Sequence, residues 1–125
     1  MKIAKALFHI AQSPLGDLIV GIAFGRLSSI LPVNRIKENE FVIAFWHPRP
    51  SWEKHILLVP KKQIRSITST NEEDRKYIAE VYRMAKEVVL ELGWDKSGYT
   101  ILVNGGDRQD VHQIHFHLCS GPEVR

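Results

Sequence analysis

Three histidines lie within six residues in the last part of the chain: His112, His115 and His117. From Gln113 to Leu118, polar and apolar residues alternate, which is the period of a half-buried β-strand. Such a strand turns its apolar residues into a core and presents Gln113, His115 and His117 on its other face, with His112 pointing away. The stretch therefore predicts one amide and two imidazoles side by side.

Three kinds of site fit this pattern. The histidines can be ordinary surface residues on the polar face of a sheet. A His-x-His pair on a strand can also chelate zinc, iron or copper, and His55 would then be a third ligand. Finally, a neutral imidazole can attack phosphorus if a partner holds one ring nitrogen, the other nitrogen is free, and nearby donors bind the phosphate oxygens. The residues alone leave these alternatives open.

The composition is that of one globular domain spanning residues 1–125. Of the 125 residues, 44% are hydrophobic and 25% are charged, and the formal net charge is +3. A nucleic-acid-binding protein usually has a denser basic surface, so we expect no nucleic-acid partner. Cys119 is the only cysteine. A single cysteine excludes an intrachain disulfide and a CxxC zinc site. It also indicates a reducing compartment, and we expect the cytoplasm.

The N-terminal part is predicted to be helical from about residue 13 to about residue 31. Ser13 and Pro14 fit an N-cap followed by the first helical position, and Pro32 ends the segment. The apolar stretch that starts at Leu18 is interrupted by Arg26, so it is too short to span a bilayer. We therefore expect no transmembrane segment.

The central part predicts one long helix, 71–92, because its apolar residues recur at i, i+3, i+4 and i+7. Ser69 or Thr70 would cap its start, with a glutamate three residues on, and Gly93 would end it. Three stretches rich in β-forming residues predict further strands: 41–46, 55–60 and 99–104. The connections are too short for parallel crossovers, so the sheet should be antiparallel and the fold class α+β.

Three ordered segments of this chain resemble the histidine triad (HIT) superfamily, and its Hint-type branch in particular. "QDVHQIHFHLCSG" resembles the signature His-φ-His-φ-His-φ-φ, in which φ is apolar. "AFWHPRPSWEKHILLVPKKQI" is similar to the family's A-F-x-x-x-x-P-x-x-x-x-H-x-L-V-I-P-K-x-H-I stretch, and "ILVNGGDRQDV" to its V-V-N-x-G segment. The resemblance implies a sheet of about five antiparallel strands with flanking helices, a core over about 35–121, and a homodimer.

The resemblance also implies roles for individual residues. His115 falls on the middle triad histidine, the expected nucleophile. His117 falls on the third histidine, expected to contact the phosphate or assist the leaving group, and His55 falls on a histidine that supports the triad from a neighbouring strand. Asn104 matches an asparagine expected near the phosphate, and Gln109 matches the glutamine of the turn before the triad. No metal and no cofactor are implied.

Some positions depart from the family pattern. Gln113 stands where the first triad histidine is expected. It keeps a backbone carbonyl for the far nitrogen of His115, but its amide cannot take up a proton. Asp110 stands where a phosphate-contacting serine or threonine is common, and it would repel a phosphate unless it turned away or paired with Arg108. His47 stands where an aspartate often binds the ribose hydroxyls. With Phe45, from the A-F dipeptide, the residues expected to bind substrate are Asn104, Gln109, Asp110, His47 and Phe45.

These observations predict an enzyme that hydrolyses or transfers a phosphate-linked nucleotide conjugate, such as a phosphoramidate, through a nucleotidyl-histidine intermediate on His115. The alternative from another functional class is a nucleotide-binding module with little or no turnover, and Gln113 and Asp110 both favour it. A metal-binding protein is the third hypothesis.

Overall fold

The computed structural model describes residues 15–25 and 32–125. The first described element is a helix, α1, over residues 15–23. The other helices and the strands follow in this order: β1 Arg35–Glu38, β2 Val42–Trp46, β3 Trp52–Pro60, α2 Arg75–Leu92, α3 Trp94–Ser97, β4 Thr100–Val103 and β5 Phe116–Glu123.

The five strands form one sheet in the order β1-β2-β3-β5-β4, and all neighbouring strands are antiparallel. This confirms the predicted α+β class and the five-stranded antiparallel sheet. The strand missing from the prediction is β1, whose sequence RIKE contains three charged residues. A short, charged strand is typical of a protected sheet edge and carries little hydrophobic signal.

The two faces of the sheet have different partners. Helix α2 and the strands enclose the larger core. That core includes the following residues: Val42, Ala44, Ile56, Leu58, Val81, Met84, Val88, Ile114, Phe116 and Leu118. The opposite face carries the cross-strand row Phe45, Leu57, His117 and Leu102. One sheet therefore separates an apolar interior from a face that contains histidine.

Helix α1 covers one end of the histidine-containing face. Its Ile19 and Ile22 are buried against Ile43, Phe45 and Leu57. The helix was predicted to continue to about residue 31, but it ends at residue 23 and is followed by a turn in which Gly25 has a φ of 76°. Such a φ favours glycine and ends a helix. The predicted cap residues 13 and 14 and the stretch 26–31 lie outside the described residues.

The long helix begins four residues later than predicted, and a different residue caps it. A 3₁₀ turn, Glu72–Asp74, precedes α2. The side chain of Asn71 accepts from the backbone N–H of Glu73, and Asp74 accepts from the N–H of Asn71. Ser69 and Thr70, the predicted caps, lie before this box. Gly93 ends α2 as predicted, with a φ of 74°.

The last strand begins later than the alternating pattern predicted. Strand β5 starts at Phe116, so 113–115 lie before the sheet pairing. The backbone N–H of Ile114 instead donates to the carbonyl of Ile64 at 2.7 Å. The chain therefore reaches the sheet through a turn that is fastened to the segment after β3, and the turn carries His115.

Candidate active site

His115 is held in one tautomer by the backbone. Its Nδ1 lies 2.7 Å from the carbonyl oxygen of Gln113, and the residue is only 5% exposed. A carbonyl oxygen can only accept, so Nδ1 carries the hydrogen and donates it. The lone pair of the neutral ring is therefore on Nε2. This is the arrangement that an imidazole nucleophile needs.

The side chain of Gln113 fixes that carbonyl. The residue is 3% exposed, and its Oε1 accepts from the backbone N–H of Ile64 at 3.0 Å. Its Nε2 donates to the carbonyls of Lys62 at 2.8 Å and Pro60 at 3.4 Å. The amide is thus fully used by the backbone after β3. As the residue at the first triad position, Gln113 belongs to the expected catalytic residues; in the structure its side chain binds backbone groups after β3, which is a positioning role.

Gln109 makes a second link to the same segment. Its Nε2 donates to the carbonyls of Arg65 at 2.6 Å and Val111 at 2.9 Å, and the residue is buried. These bonds hold the turn before the triad in place. The amide nitrogen that we expected to bind substrate is therefore occupied by the protein itself.

Asn104 directly follows β4. Val103, the last residue of β4, pairs with Phe116, the first residue of β5 and the residue after His115. The expected contact of Asn104 with a phosphate stays a prediction.

His55 and His117 form a hydrogen-bonded pair of defined polarity. The backbone N–H of Ser51 donates to His55 Nδ1 at 3.0 Å, so His55 carries its hydrogen on Nε2. That Nε2 lies 2.8 Å from His117 Nδ1, which must therefore accept. In a neutral His117 the hydrogen is then on Nε2, which is buried and lacks a hydrogen-bond partner within the described part of the chain. His117 thus offers one unused N–H donor.

His47 extends this group by stacking. Its ring lies on His55 with centroids 4.3 Å apart and planes 29° apart, and its Nδ1 accepts from the backbone N–H of Arg49 at 2.9 Å. Trp52 contacts the edge of His55 at a centroid distance of 5.1 Å. At the position where an aspartate was expected, the chain therefore has an imidazole with a single remaining N–H donor.

Burial keeps three of these rings neutral. Desolvation, and then the neighbouring histidines, lowers the pKa of His47 to about 4, of His55 to about 3 and of His117 to about 4. At neutral pH these rings carry no charge, which agrees with the hydrogen-bond polarity. His117 can therefore donate a hydrogen bond to a phosphate oxygen, but it has no extra proton to give to a leaving group.

Asp110 faces His115. Its Oδ1 lies 3.7 Å from His115 Nε2, and its side chain is 56% exposed. The side-chain interaction with His115 is the main cause that lowers the pKa of the Asp110 carboxyl. The sequence predicts that Asp110 repels a phosphate unless it turns away or pairs with Arg108. Within the described residues its ion-pair contact is with His115 instead.

Phe45 is not available to a ligand. The ring is fully buried in the cluster formed with Ile19 and Ile22 of α1. The structure therefore gives Phe45 a packing role, and its assignment to the substrate-binding residues stays a prediction. Ser51, which no pattern in the sequence indicates, orients His55 through its backbone N–H and therefore leaves no side-chain signal.

The arrangement does not favour a metal ion. Within 15–25 and 32–125, no three His, Cys, Asp or Glu residues are grouped so that they could hold one. His117 accepts on Nδ1 and carries hydrogen on Nε2, so neither nitrogen of the neutral ring has a free lone pair. Burial also raises the pKa of Cys119 to about 11, which keeps its thiol protonated. Among the described side chains of this site, His115 Nε2 is the nitrogen whose lone pair no protein donor occupies.

The comparisons with known proteins agree with this geometry. The sequence pattern of the HIT domain matches residues 30–124. An uncharacterized HIT-like protein of Helicobacter pylori strain 26695 is 33% identical over 93 residues, which cover 73% of this chain and 86% of that protein. An uncharacterized HIT-like protein of Buchnera aphidicola is 26% identical over 100 residues, or 78% of this chain and 89% of that protein.

Solved structures show the same fold. A HIT family hydrolase from Legionella pneumophila superposes with a TM-score of 0.72 at 30% identity, covering 84% of this chain and 92% of that one. A histidine triad protein from Clostridium difficile gives a TM-score of 0.71 at 27% identity, covering 84% and 90%. The HIT domain pattern covers most of the chain, and both the fold and the three ordered sequence segments agree with it. The protein therefore belongs to the HIT family.

Proposed function

We propose that this protein hydrolyses or transfers a phosphate-linked nucleotide conjugate, such as a phosphoramidate, and that His115 is its nucleophile. The observation that carries the proposal is the bond from His115 Nδ1 to the carbonyl of Gln113 at 2.7 Å, which leaves the Nε2 lone pair free. The fold similarity to HIT family hydrolases supports a hydrolase at the level of class.

The reaction divides into two displacements at phosphorus. In the first, the lone pair of His115 Nε2 forms an N–P bond while the bond from phosphorus to the leaving group breaks. The leaving atom keeps that electron pair and takes a proton from solvent. In the second, water attacks phosphorus, loses a proton to solvent and returns the electron pair to Nε2. A transfer reaction would replace this water with another hydroxyl or amine.

Two groups can stabilise the charge that develops on the phosphoryl oxygens. The N–H on His117 Nε2 has no other partner in the described part of the chain, so it is a donor held ready for an oxygen. Asn104, which directly follows the β4 residue paired with Phe116, is the second proposed donor. Fixed donors of this kind stabilise a transition state without reorganisation. His55 holds His117 in its donor tautomer and is therefore a positioning residue.

The direct test is capture of the intermediate. Protein mixed with adenosine phosphoramidate and analysed by mass spectrometry without acid should gain the mass of one adenylyl group, located on His115 by fragmentation. His115→Ala should show no adduct and lower kcat by about 10³-fold or more, as expected for loss of a nucleophile. The exposed His112 is the matched control, and His112→Ala should behave as wild type. An adduct on another residue would contradict the proposal.

A nucleotide-binding module without turnover is the second candidate. The observation that favours it is Asp110, whose carboxylate lies 3.7 Å from the reactive nitrogen. Such a module would bind adenosine monophosphate but would release no product from any conjugate and would form no adduct. Binding without turnover in the wild-type protein would therefore support this candidate over the enzyme.

We also infer that the protein forms a homodimer through the β4 edge. Within the described residues, β4 pairs only with β5, so its outer edge is free. Beside it lies a groove of about 260 Å³ whose lining includes the exposed Tyr82, Leu90 and Tyr99. A second copy adding its own β4 would pair both edges and cover the aromatic rings. Sedimentation analysis measures the resulting mass.

No helix of the described part is long and apolar enough to cross a membrane. The predicted cytoplasmic location stays a prediction, as does the absence of a cofactor.

A further inference from the structure

The loop between β2 and β3 carries a hydrogen-bond donor that the proposed reaction does not use. His47, the first residue of this loop, accepts on Nδ1 from the backbone N–H of Arg49, so its remaining hydrogen is on Nε2. The backbone N–H of His47 donates to the carbonyl of His55 at 2.8 Å, which fixes its position. Within the described residues the Nε2 hydrogen has no partner. His47 is therefore a fixed, partly exposed donor beside the triad.

Two arginines place positive charge around this donor. Arg49 lies two positions after His47 in the same loop, and Arg125 Nε donates to the carbonyl of Pro50 in that loop at 2.7 Å. Burial and the nearby His115 are the main causes that lower the pKa of the His47 ring, and the charges of Arg125 and Arg49 lower it further. Neither guanidinium group pairs with a carboxylate in the part of the chain that the structure describes. One loop thus collects three donor side chains and two positive charges that no carboxylate neutralises.

The two ends of the histidine cluster carry opposite charge. At the His115 end lies the Asp110 carboxylate, 3.7 Å from the reactive nitrogen, and at the loop end lie the two guanidinium groups. The rings of His47 and His117 lie between these ends, with centroids 6.4 Å apart and planes 24° apart. These charges would turn a second negative group of a ligand toward the loop. An aspartate in place of His47 would repel such a group, whereas the neutral imidazole donates to it.

We propose that His47, Arg49 and Arg125 form a subsite for a second phosphate group of the substrate, carried on the pentose and away from the bond that breaks. The proposal rests on the proposed function, because the first phosphate is the group placed at His115. A phosphate brings nearly two negative charges at neutral pH and several acceptor oxygens. These match one neutral N–H and two guanidinium groups, which bind phosphate through charge-assisted hydrogen bonds.

Equilibrium binding tests this subsite without requiring turnover. Isothermal titration calorimetry compares adenosine 5′-monophosphate with adenosine 2′,5′-bisphosphate and adenosine 3′,5′-bisphosphate, which add only the second phosphate. Wild type should bind at least one bisphosphate about tenfold more tightly than the monophosphate, the gain expected for charge-assisted contacts at a partly exposed site. Equal affinities for all three probes would overturn the proposal.

Charge variants test whether the gain comes from the loop, and the readout is the ratio of bisphosphate to monophosphate affinity. Arg49→Glu reverses one charge of the subsite and should reduce this ratio to about one, whereas Arg49→Lys keeps the charge and should keep most of the preference. Lys54→Glu is the matched control. It makes the same change of net charge at an exposed position, on the face of β3 opposite to His55, and should keep the wild-type ratio. A preference that survives Arg49→Glu, or that Lys54→Glu also removes, would overturn the proposal.

The result is distinguishable from failure of the proposed function. If wild type prefers a bisphosphate but forms no adduct on His115, the enzyme fails and the subsite belongs to the nucleotide-binding module. If the adduct forms and the three probes bind equally, the reaction stands and the subsite fails.

Discussion

At the scale of single residues, Gln113 shows how a departure from the triad pattern is accommodated. The carbonyl of this residue directs His115, and its amide binds one N–H and two carbonyls of the segment after β3. A neutral histidine has one donor and one acceptor, so it could not make this set of bonds. Compared with histidine, glutamine at this position lacks a titratable group but attaches the turn more firmly to the segment after β3.

This role predicts the effect of the nearly isosteric change Gln113→Glu. A glutamate here would place a buried carboxylate oxygen against the carbonyls of Lys62 and Pro60, so the free energy of unfolding should fall by about 2–4 kcal/mol. Urea denaturation measures the loss. Gln63→Glu makes the same change at an exposed position and should stay within about 0.5 kcal/mol of wild type. Equal free energies of unfolding for the two variants would contradict the positioning role of Gln113.

At the scale of elements, the alternating and helical patterns predicted most of the sheet and the long helix because burial imposes those periods. Two of the features that they missed depend on hydrogen bonds made by backbone groups. The delayed start of β5 results from the bond between Ile114 and Ile64, and the tautomer of His55 depends on the backbone of Ser51. A backbone N–H is the same in every residue type except proline, so no side-chain pattern can reveal it.

The start of α2 gives a test of which residue caps the helix. Asn71→Ala should destabilise the protein by about 1 kcal/mol because it leaves the N–H of Glu73 without its acceptor. Ser69→Ala, at a cap position predicted from the sequence, should cost much less because the hydroxyl that it removes bonds to the exposed hydroxyl of Ser66 and to no helix N–H that the structure describes. Thermal unfolding followed by circular dichroism compares the two. A larger loss of stability in the Ser69 variant would instead support Ser69 as the cap, as the sequence predicted.

At the scale of the whole molecule, the sheet brings together four imidazoles from three places in the chain. His47 follows β2, His55 lies in β3, His115 precedes β5 and His117 lies in β5. The α2 core supports the sheet from behind, and α1 closes one end of the same face. The family resemblance predicted that His55, His115 and His117 would meet, whereas the stacking of His47 could be seen only in the folded chain.

The neutral histidines predict how stability depends on pH. The pKa values of His47, His55 and His117 are lowered from 6.5 to about 4, 3 and 4. Below pH 6.5 the unfolded chain binds protons at these sites and the folded chain does not, so the free energy of unfolding falls steadily as pH drops toward 4. This loss occurs mostly above the pH range in which carboxylates are protonated.

Thermal unfolding between pH 7.5 and 4 measures this dependence. Wild type should lose Tm across the window, and His47→Gln should lose less because one of the three rings is gone. His112→Gln, at an exposed position, is the matched control and should follow wild type. A Tm that is constant from pH 7 to pH 5 would contradict the prediction.

The direction of the hydrogen bond from His55 to His117 is set by Ser51, in the short loop before β3. Two residues after β5 hold this loop in place. Ser51, whose N–H orients His55, accepts through its own carbonyl from the N–H of Val124 at 2.9 Å. The carbonyl of its neighbour Pro50 accepts from Arg125 Nε at 2.7 Å. The two residues after β5 thus act as a clasp on the loop. Loosening the clasp would let His55 rotate or exchange its hydrogen between nitrogens. His117 could then lose the N–H that we propose as a phosphate donor, although no residue of the triad had changed.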